Sequence, residues 1–332
     1  MTVARLNRPA DTLPARVGSA CGKLILLGEH AVVYGAPALA VGIDRGVRAQ
    51  ATSCDDNEPS RLRVPAWNIA VDDLVVDNDL ARAFRALVTA VRSDGRAWRP
   101  QAVDVRADLP PGGGLGCSAA MGVAVTRAID PGADEPSIQR YAMAWEHVFH
   151  GNPSGVDAAV AARGGCLFFR KSDGLEPLRM RGVLRLCVGD SGRPSSTKVM
   201  VDLVARLRVE RPRLVADVFD GVRTLVQSAR EAIEGGDTAA LGRLMDKNQV
   251  LLGRLGVSTD EIERMCVLSR KAGALGGKLT GAGGGGCVVA LVPSARVAEQ
   301  VLSAWRSAGY RGFATAVAVE SRSRALESEA AP

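Results

Sequence analysis

The chain has 332 residues, 47% of them hydrophobic and 23% charged, with a formal net charge of +6 and a pI near 9.1. That length allows one large domain or two ordinary ones, and the composition excludes disordered and fibrous classes. The basic excess is arginine scattered along the whole chain, without runs or interleaved aromatics. It therefore argues against nucleic acid as a partner and fits a protein with a small anionic substrate.

Residues 1–15 read as a loose arm without the apolar segment of a secretory signal. "GKLILLGEHAVVYG" (22–35) reads as a strand, a polar turn at Gly28–His30 and more apolar chain. Leu80, Phe84, Leu87, Val88 and Val91 have the spacing of a helix over 79–92. "AVDVRAD" (102–108) alternates like a half-buried strand and leads into "PPGGGLGCSAA" (110–120), where a glycine-rich loop opens a helix from Ser118 to about Ile129. Ser137 is placed to cap a further helix to His147 or beyond. "RLCVGD" (185–190) reads as a strand, and a boundary near Gly182 divides the chain into 1–181 and 182–332. Helices follow near 198–208, 213–233, 238–253 and 259–272. "GGKLTGAGGGGCVVALV" (276–292) is a second glycine-rich loop entering a buried strand. A helix at 295–308, a strand "FATAVAV" (313–319) and a polar tail complete the pattern. Strand–helix alternation with separate helical stretches predicts an α/β or α+β fold in two lobes.

The cysteines Cys21, Cys54, Cys117, Cys166, Cys187, Cys266 and Cys287 are odd in number and show no C-x-x-C spacing. They suggest a reducing compartment rather than disulfides or zinc. The longest apolar stretch is broken by Glu29 and His30, so no membrane span is expected, and the protein is expected to be cytoplasmic. Lysine is scarce, yet Lys23 and Lys278 both fall inside glycine-rich motifs.

The first glycine loop lacks the G-K-[ST] ending of a Walker A motif. By itself it could cradle a phosphate on bare amides at a helix N-terminus, or merely let a strand and helix pack closely. Three other segments bear on that choice: "ACGKLILLGEHAVVYG" (20–35), "WEHVFHGNPSGVDAAVA" (145–161) and "KLTGAGGGGC" (278–287). With the loop they resemble the signature motifs of the GHMP small-molecule kinases. "HGNPSGVD" and "DKNQVLLGRLGVS" (246–258) resemble the mevalonate kinase branch in particular. The likeness spans most of residues 18–292.

The resemblance implies an N-terminal lobe of mixed sheet and helices and a ferredoxin-like C-terminal lobe. ATP and Mg²⁺ would be the cofactors, and a small alcohol, mevalonate, would bind between the lobes. No nucleic acid or membrane is implied, and a homodimer is plausible from the resemblance alone. Pro111, Gly112, Gly113, Gly114, Leu115, Gly116, Cys117, Ser118 and Ala119 would surround the ATP phosphates. Ser118 and Glu146 would hold Mg²⁺, which needs only one or two protein oxygens beside phosphate and water. Asp157 would be the general base for the substrate hydroxyl, paired with Lys23, which also steadies charge on the incoming oxygen. Glu29 and His30 would line the alcohol pocket, and Arg170 or Lys171 would hold a substrate carboxylate. Thr197 and Gly283 would lie near substrate or phosphate, and Trp67 and Asn68 would flank adenine.

Two residues depart from the family pattern: Cys21 stands where proline is usual, and Cys117 where the first serine of Gly-Leu-Gly-Ser-Ser is usual. At a helix N-terminus, Cys117 is expected to be thiolate-prone, to react first with alkylating agents and to be protected by MgATP. Other readings remain open at this point: a GHMP kinase for phosphomevalonate, a sugar or an amino-acid alcohol, and a silent ligand-sensing relative.

Overall fold

The "GKLILL" run forms a strand because apolar residues on both its faces find cover. Strand β1 (Arg16–Leu27) pairs antiparallel with β2 (Ala38–Ser53) along nearly its whole length. The computed structural model describes residues 15–95, 98–109, 113–150, 153 and 155–318. The N-terminal arm, the polar tail, Pro111 and Gly112 lie outside the described residues.

β2 begins with the continuous apolar run "ALAVGI", the pattern of a strand buried on both faces. β3 (Arg61–Val64) and β4 (Ile69–Asp72) follow, then α1 (Asp79–Ser93). In α1 the Asn78 side chain accepts from the Ala81 N–H, and Phe84, Leu87, Val88 and Val91 are buried. β5 (Gln101–Ala107) precedes α2 (Cys117–Ile129), α3 (Glu135–His150), α4 (Val156–Arg163), β6 (Cys166–Arg170) and β7 (Gly174–Pro177). These strands form one seven-stranded sheet in the order β4-β3-β5-β2-β6-β7, with β1 also on β2. Helix α2 is apolar all round because it packs on β1 and β2 on one side and α3 on the other.

The remaining elements are β8 (Leu184–Asp190), α5 (Thr197–Glu210), α6 (Pro212–Gly235), α7 (Thr238–Arg254), α8 (Asp260–Lys271), β9 (Gly276–Thr280), β10 (Cys287–Val292), α9 (Ala295–Ser307) and β11 (Arg311–Val317). Their sheet has the order β11-β8-β10-β9, antiparallel throughout. That is the split strand order of a ferredoxin-like unit, as expected.

One local reading is corrected. Ser137 does not cap α3: the helix begins at Glu135, and the Ser137 N–H donates to Asp134 Oδ1 at 3.0 Å. The strands β3, β4, β6 and β7 carry no sequence signal of comparable strength. They are four or five residues long; β3 pairs with β5 and β6 with β2, and β4 and β7 extend them at the sheet edges. Among the described residues, no helix is long and apolar enough to cross a membrane.

Candidate active site

Lys23 lies on β1 beside the first glycine loop, and its backbone N–H donates to Leu115 O at 2.9 Å. Its Nζ is 2.9 Å from Asp157 Oδ1. The ammonium side of this pair is buried, whereas the Asp157 side chain is 37% exposed and open to an incoming molecule. Asp157 sits in the first turn of α4, after Gly155 in a left-handed conformation. Helix α3 fixes that start: Gln139 Nε2 donates to Gly155 O at 3.0 Å.

Ser118 lies in the first turn of α2, and its hydroxyl donates to Glu146 Oε1 at 2.6 Å. Trp145 Nε1 donates to the same Ser118 oxygen at 3.2 Å. Glu146 is almost completely buried. A hydroxyl and a carboxylate in contact are hard oxygen donors of the kind Mg²⁺ takes. Among the described residues, no three His, Cys, Asp or Glu side chains gather into a metal cluster. A cation here would draw its other ligands from phosphate and water, as Mg²⁺ commonly does.

Gly116, with φ 70°, caps α2, and among the described residues no side chain caps that helix end. A Cβ at Gly116 would lie 3.2 Å from Lys23 Cβ, so a larger residue would press on Lys23 as well as strain the turn. The two glycine loops meet: a Cβ at Gly114 would be 3.8 Å from Gly281 Cα, and one at Gly286 would be 3.6 Å from Gly113 O. Gly283 accepts a hydrogen bond from Ser195 Oγ at 2.5 Å, which ties the second loop to the turn after β8.

Several expected site residues have other partners. The Glu29 carboxylate is buried, ion-paired with Lys278 and accepting from Asn248 Nδ2 at 3.1 Å. Each of its oxygens has a partner from the C-terminal half, so Glu29 also ties the two halves of the chain together. Lys278 also donates to Leu279 O at 2.5 Å. Burial pulls its pKa below the usual lysine range, and Glu29 opposes the shift. His30, at φ 61°, hydrogen-bonds Ala282 O through Nε2 at 2.8 Å. A carbonyl can only accept, so Nε2 carries the proton. Burial lowers the His30 pKa and leaves Nδ1 unprotonated at neutral pH.

Arg170 pairs with Asp173 at 2.8 Å and lies over the Phe168 ring. Leu167 and Phe169, which alternate with it on β6, pack with Val156 and Val160 of Asp157's helix, whereas Phe168 belongs to the other cluster. Arg170 is therefore on the opposite face of β6 from α4, and Lys171 is exposed in the following turn. The structure does not bring either of them to Asp157. Thr197 is exposed at the start of α5, where Ser196 supplies the cap by accepting from Val199 N–H. Trp67 and Asn68 end a short 3₁₀ turn, with Trp67 partly packed on the core.

The expectation for Cys117 is overturned. Its side chain is buried among apolar groups, and burial pushes the thiol up to about 11. Cys21 Sγ donates to Val160 O at 3.1 Å, and burial raises it to about 11 as well.

Sequence reasoning missed Gln139, Trp145, Asn248 and Thr280. Thr280 Oγ1 accepts from Ile25 N–H at 3.0 Å and donates to Ile25 O at 3.1 Å, joining β9 to β1. Their roles lie in contacts between distant segments, which spacing does not report. For Lys278 the signal was its scarcity.

Comparison with known proteins agrees with this geometry. The GHMP kinases N terminal domain matches residues 78–165, and the GHMP kinases C terminal domain matches 229–311. A mevalonate kinase of Pyrococcus abyssi is 33% identical over 328 residues, covering 92% of this chain and 96% of that protein. The crystal structure of L. major mevalonate kinase in complex with R-mevalonate superposes with a TM-score of 0.76 at 27% identity, covering 94% of this chain and 98% of that one. The Methanococcus jannaschii mevalonate kinase shares the fold, with a TM-score of 0.79 at 22% identity over 93% of this chain and 100% of that one. With motifs, fold and relatives in agreement, the chain belongs to the mevalonate kinase family of the GHMP kinases.

Proposed function

We propose that the chain transfers the γ-phosphoryl group of ATP to the 5-hydroxyl of mevalonate, giving 5-phosphomevalonate and ADP for isoprenoid precursor synthesis. The observation that carries this reading is the Lys23–Asp157 contact at 2.9 Å, beside two touching glycine loops. Phosphoryl transfer asks a protein for positioning and charge neutralisation more than for covalent chemistry. Asp157 Oδ accepts the proton of the attacking hydroxyl, and the Lys23 ammonium holds that oxygen's developing charge. Backbone amides of the described loop residues Gly113–Gly116, with the α2 N-terminus behind them, hold the phosphates. Ser118 and Glu146 would hold Mg²⁺, which would neutralise charge on the phosphates. Residues 1–181 form the lobe with the phosphate loop and the base, and 182–332 the lobe with the second loop.

A coupled ADP-release assay over mevalonate, phosphomevalonate, galactose and homoserine tests the reading. Turnover with mevalonate at least about 100-fold above the others in kcat/KM supports it, a ratio that a site matching one substrate's polar groups readily reaches. Preference for another alcohol overturns it.

A further inference from the structure

We infer that Trp145 is a positioning residue for the cation site: its indole N–H fixes the direction of the one Ser118 lone pair left for a metal. This rests on the proposed role of Ser118 as a metal ligand.

A serine hydroxyl has one proton and two lone pairs. Here the proton goes to Glu146 Oε1 at 2.6 Å and one lone pair receives Trp145 Nε1–H at 3.2 Å. With Cβ as the third fixed direction, a single tetrahedral position remains on the oxygen. Trp145 and Glu146 are consecutive on α3, so their side chains leave the helix about 100° apart. Both reach one oxygen because Ser118, on α2, lies over the helix between them.

The indole cannot swing away. Trp145 is fully buried, and a Cβ at Gly122 would sit 3.0 Å from its Cδ1 and Cγ. The Phe149 ring lies 6.0 Å from it, centroid to centroid. A phenyl ring at 145 would fill most of this space and donate nothing. The hydroxyl, still donating to Glu146 Oε1, would then offer two open lone pairs in place of one. Without the tryptophan, a cation could approach along either lone pair, and the single aim would be lost.

The test uses the full chain and Mg²⁺ with ADP as the probe. Calorimetry measures ADP affinity with Mg²⁺ and in EDTA for the unaltered protein, Trp145→Phe, Ser118→Ala and the double variant. One lost hydrogen bond predicts that Trp145→Phe weakens ADP binding about 3- to 10-fold with Mg²⁺ and less than about 2-fold in EDTA. Ser118→Ala weakens it at least as much, and adding Trp145→Phe costs nothing further, because the oxygen that the indole bonds is gone. Equal weakening with and without Mg²⁺, or additive effects in the double variant, would show that Trp145 acts only through packing. Weakening by Ser118→Ala with none from Trp145→Phe defeats this inference alone. No effect from Ser118→Ala defeats the metal-ligand reading and this inference with it. If Trp145→Phe does not fold, the indole resonances of the four tryptophans decide the matter. The Trp145 signal should move on adding Mg²⁺ to the ADP complex and should not do so in Ser118→Ala. A signal indifferent to Mg²⁺ in the unaltered protein overturns the inference.

Discussion

Lys278→Met isolates the buried ion pair that joins the halves of the chain. Lys278 is fully buried and Glu29 is 1% exposed, so removing the ammonium leaves a carboxylate away from water, with Asn248 as its remaining side-chain donor among the described residues. Breaking such a pair from one side costs about 3–5 kcal/mol, since an uncompensated charge stays behind. Unfolding entropy of about 2.1 cal/mol/K per residue over 332 residues gives about 0.7 kcal/mol/K. The expected fall in Tm is therefore about 4–7 °C for cooperative unfolding. Adding Glu29→Gln removes the stranded charge and should restore roughly half of that loss or more. Differential scanning calorimetry of the single and double variants is the assay. A fall below about 1 °C for Lys278→Met, or a double variant less stable than the single, would refute the reasoning. Were Glu29 a substrate ligand, Glu29→Gln would raise KM for mevalonate at unchanged Tm.

Iodoacetamide near neutral pH should spare Cys117, whose raised pKa of about 11 leaves roughly 300-fold less thiolate than an ordinary cysteine, with or without MgATP. Half-exposed Cys54 should be modified first, and rapid labelling of Cys117 in peptide maps would contradict its burial. Because burial lowers His30 below its usual 6.5, the unfolded chain binds that proton first as pH falls. Its stabilising contribution is present above about pH 6.5 and is lost below it, so His30→Gln should flatten the fall in Tm between about pH 7.5 and 5.5. Arg170→Ala and Lys171→Ala should leave KM for mevalonate within about twofold, as expected of surface charges; a rise of about tenfold in either would return the substrate carboxylate to this hairpin.

Helix α1 was legible because its apolar residues recur at helical spacing and Asn78 caps it. The "KLILL" strand and both glycine loops were legible for similarly local reasons. The pairing of Lys23 with Asp157 and of Ser118 with Glu146 followed from motifs whose chemistry each needs two partners. The partners of Glu29 were not legible because Lys278 and Asn248 lie 249 and 219 residues away along the chain. "GEH" looks the same whether its acid faces a ligand or a buried lysine. Cys117 was not legible because a helix N-terminus can be read from spacing, whereas the burial that raises this thiol cannot.

Asp157→Asn tests the central claim most directly. The substitution keeps size and shape, but the amide can neither accept the hydroxyl proton nor carry the charge facing Lys23 2.9 Å away. MgATP affinity and mevalonate-dependent ADP release would be measured on the same preparation. The account predicts kcat at least about 100-fold lower, the scale of a lost general base, with MgATP affinity within about twofold. Near-normal turnover in the Asn variant would contradict Asp157 as the base and, with it, the mechanism built on this pair.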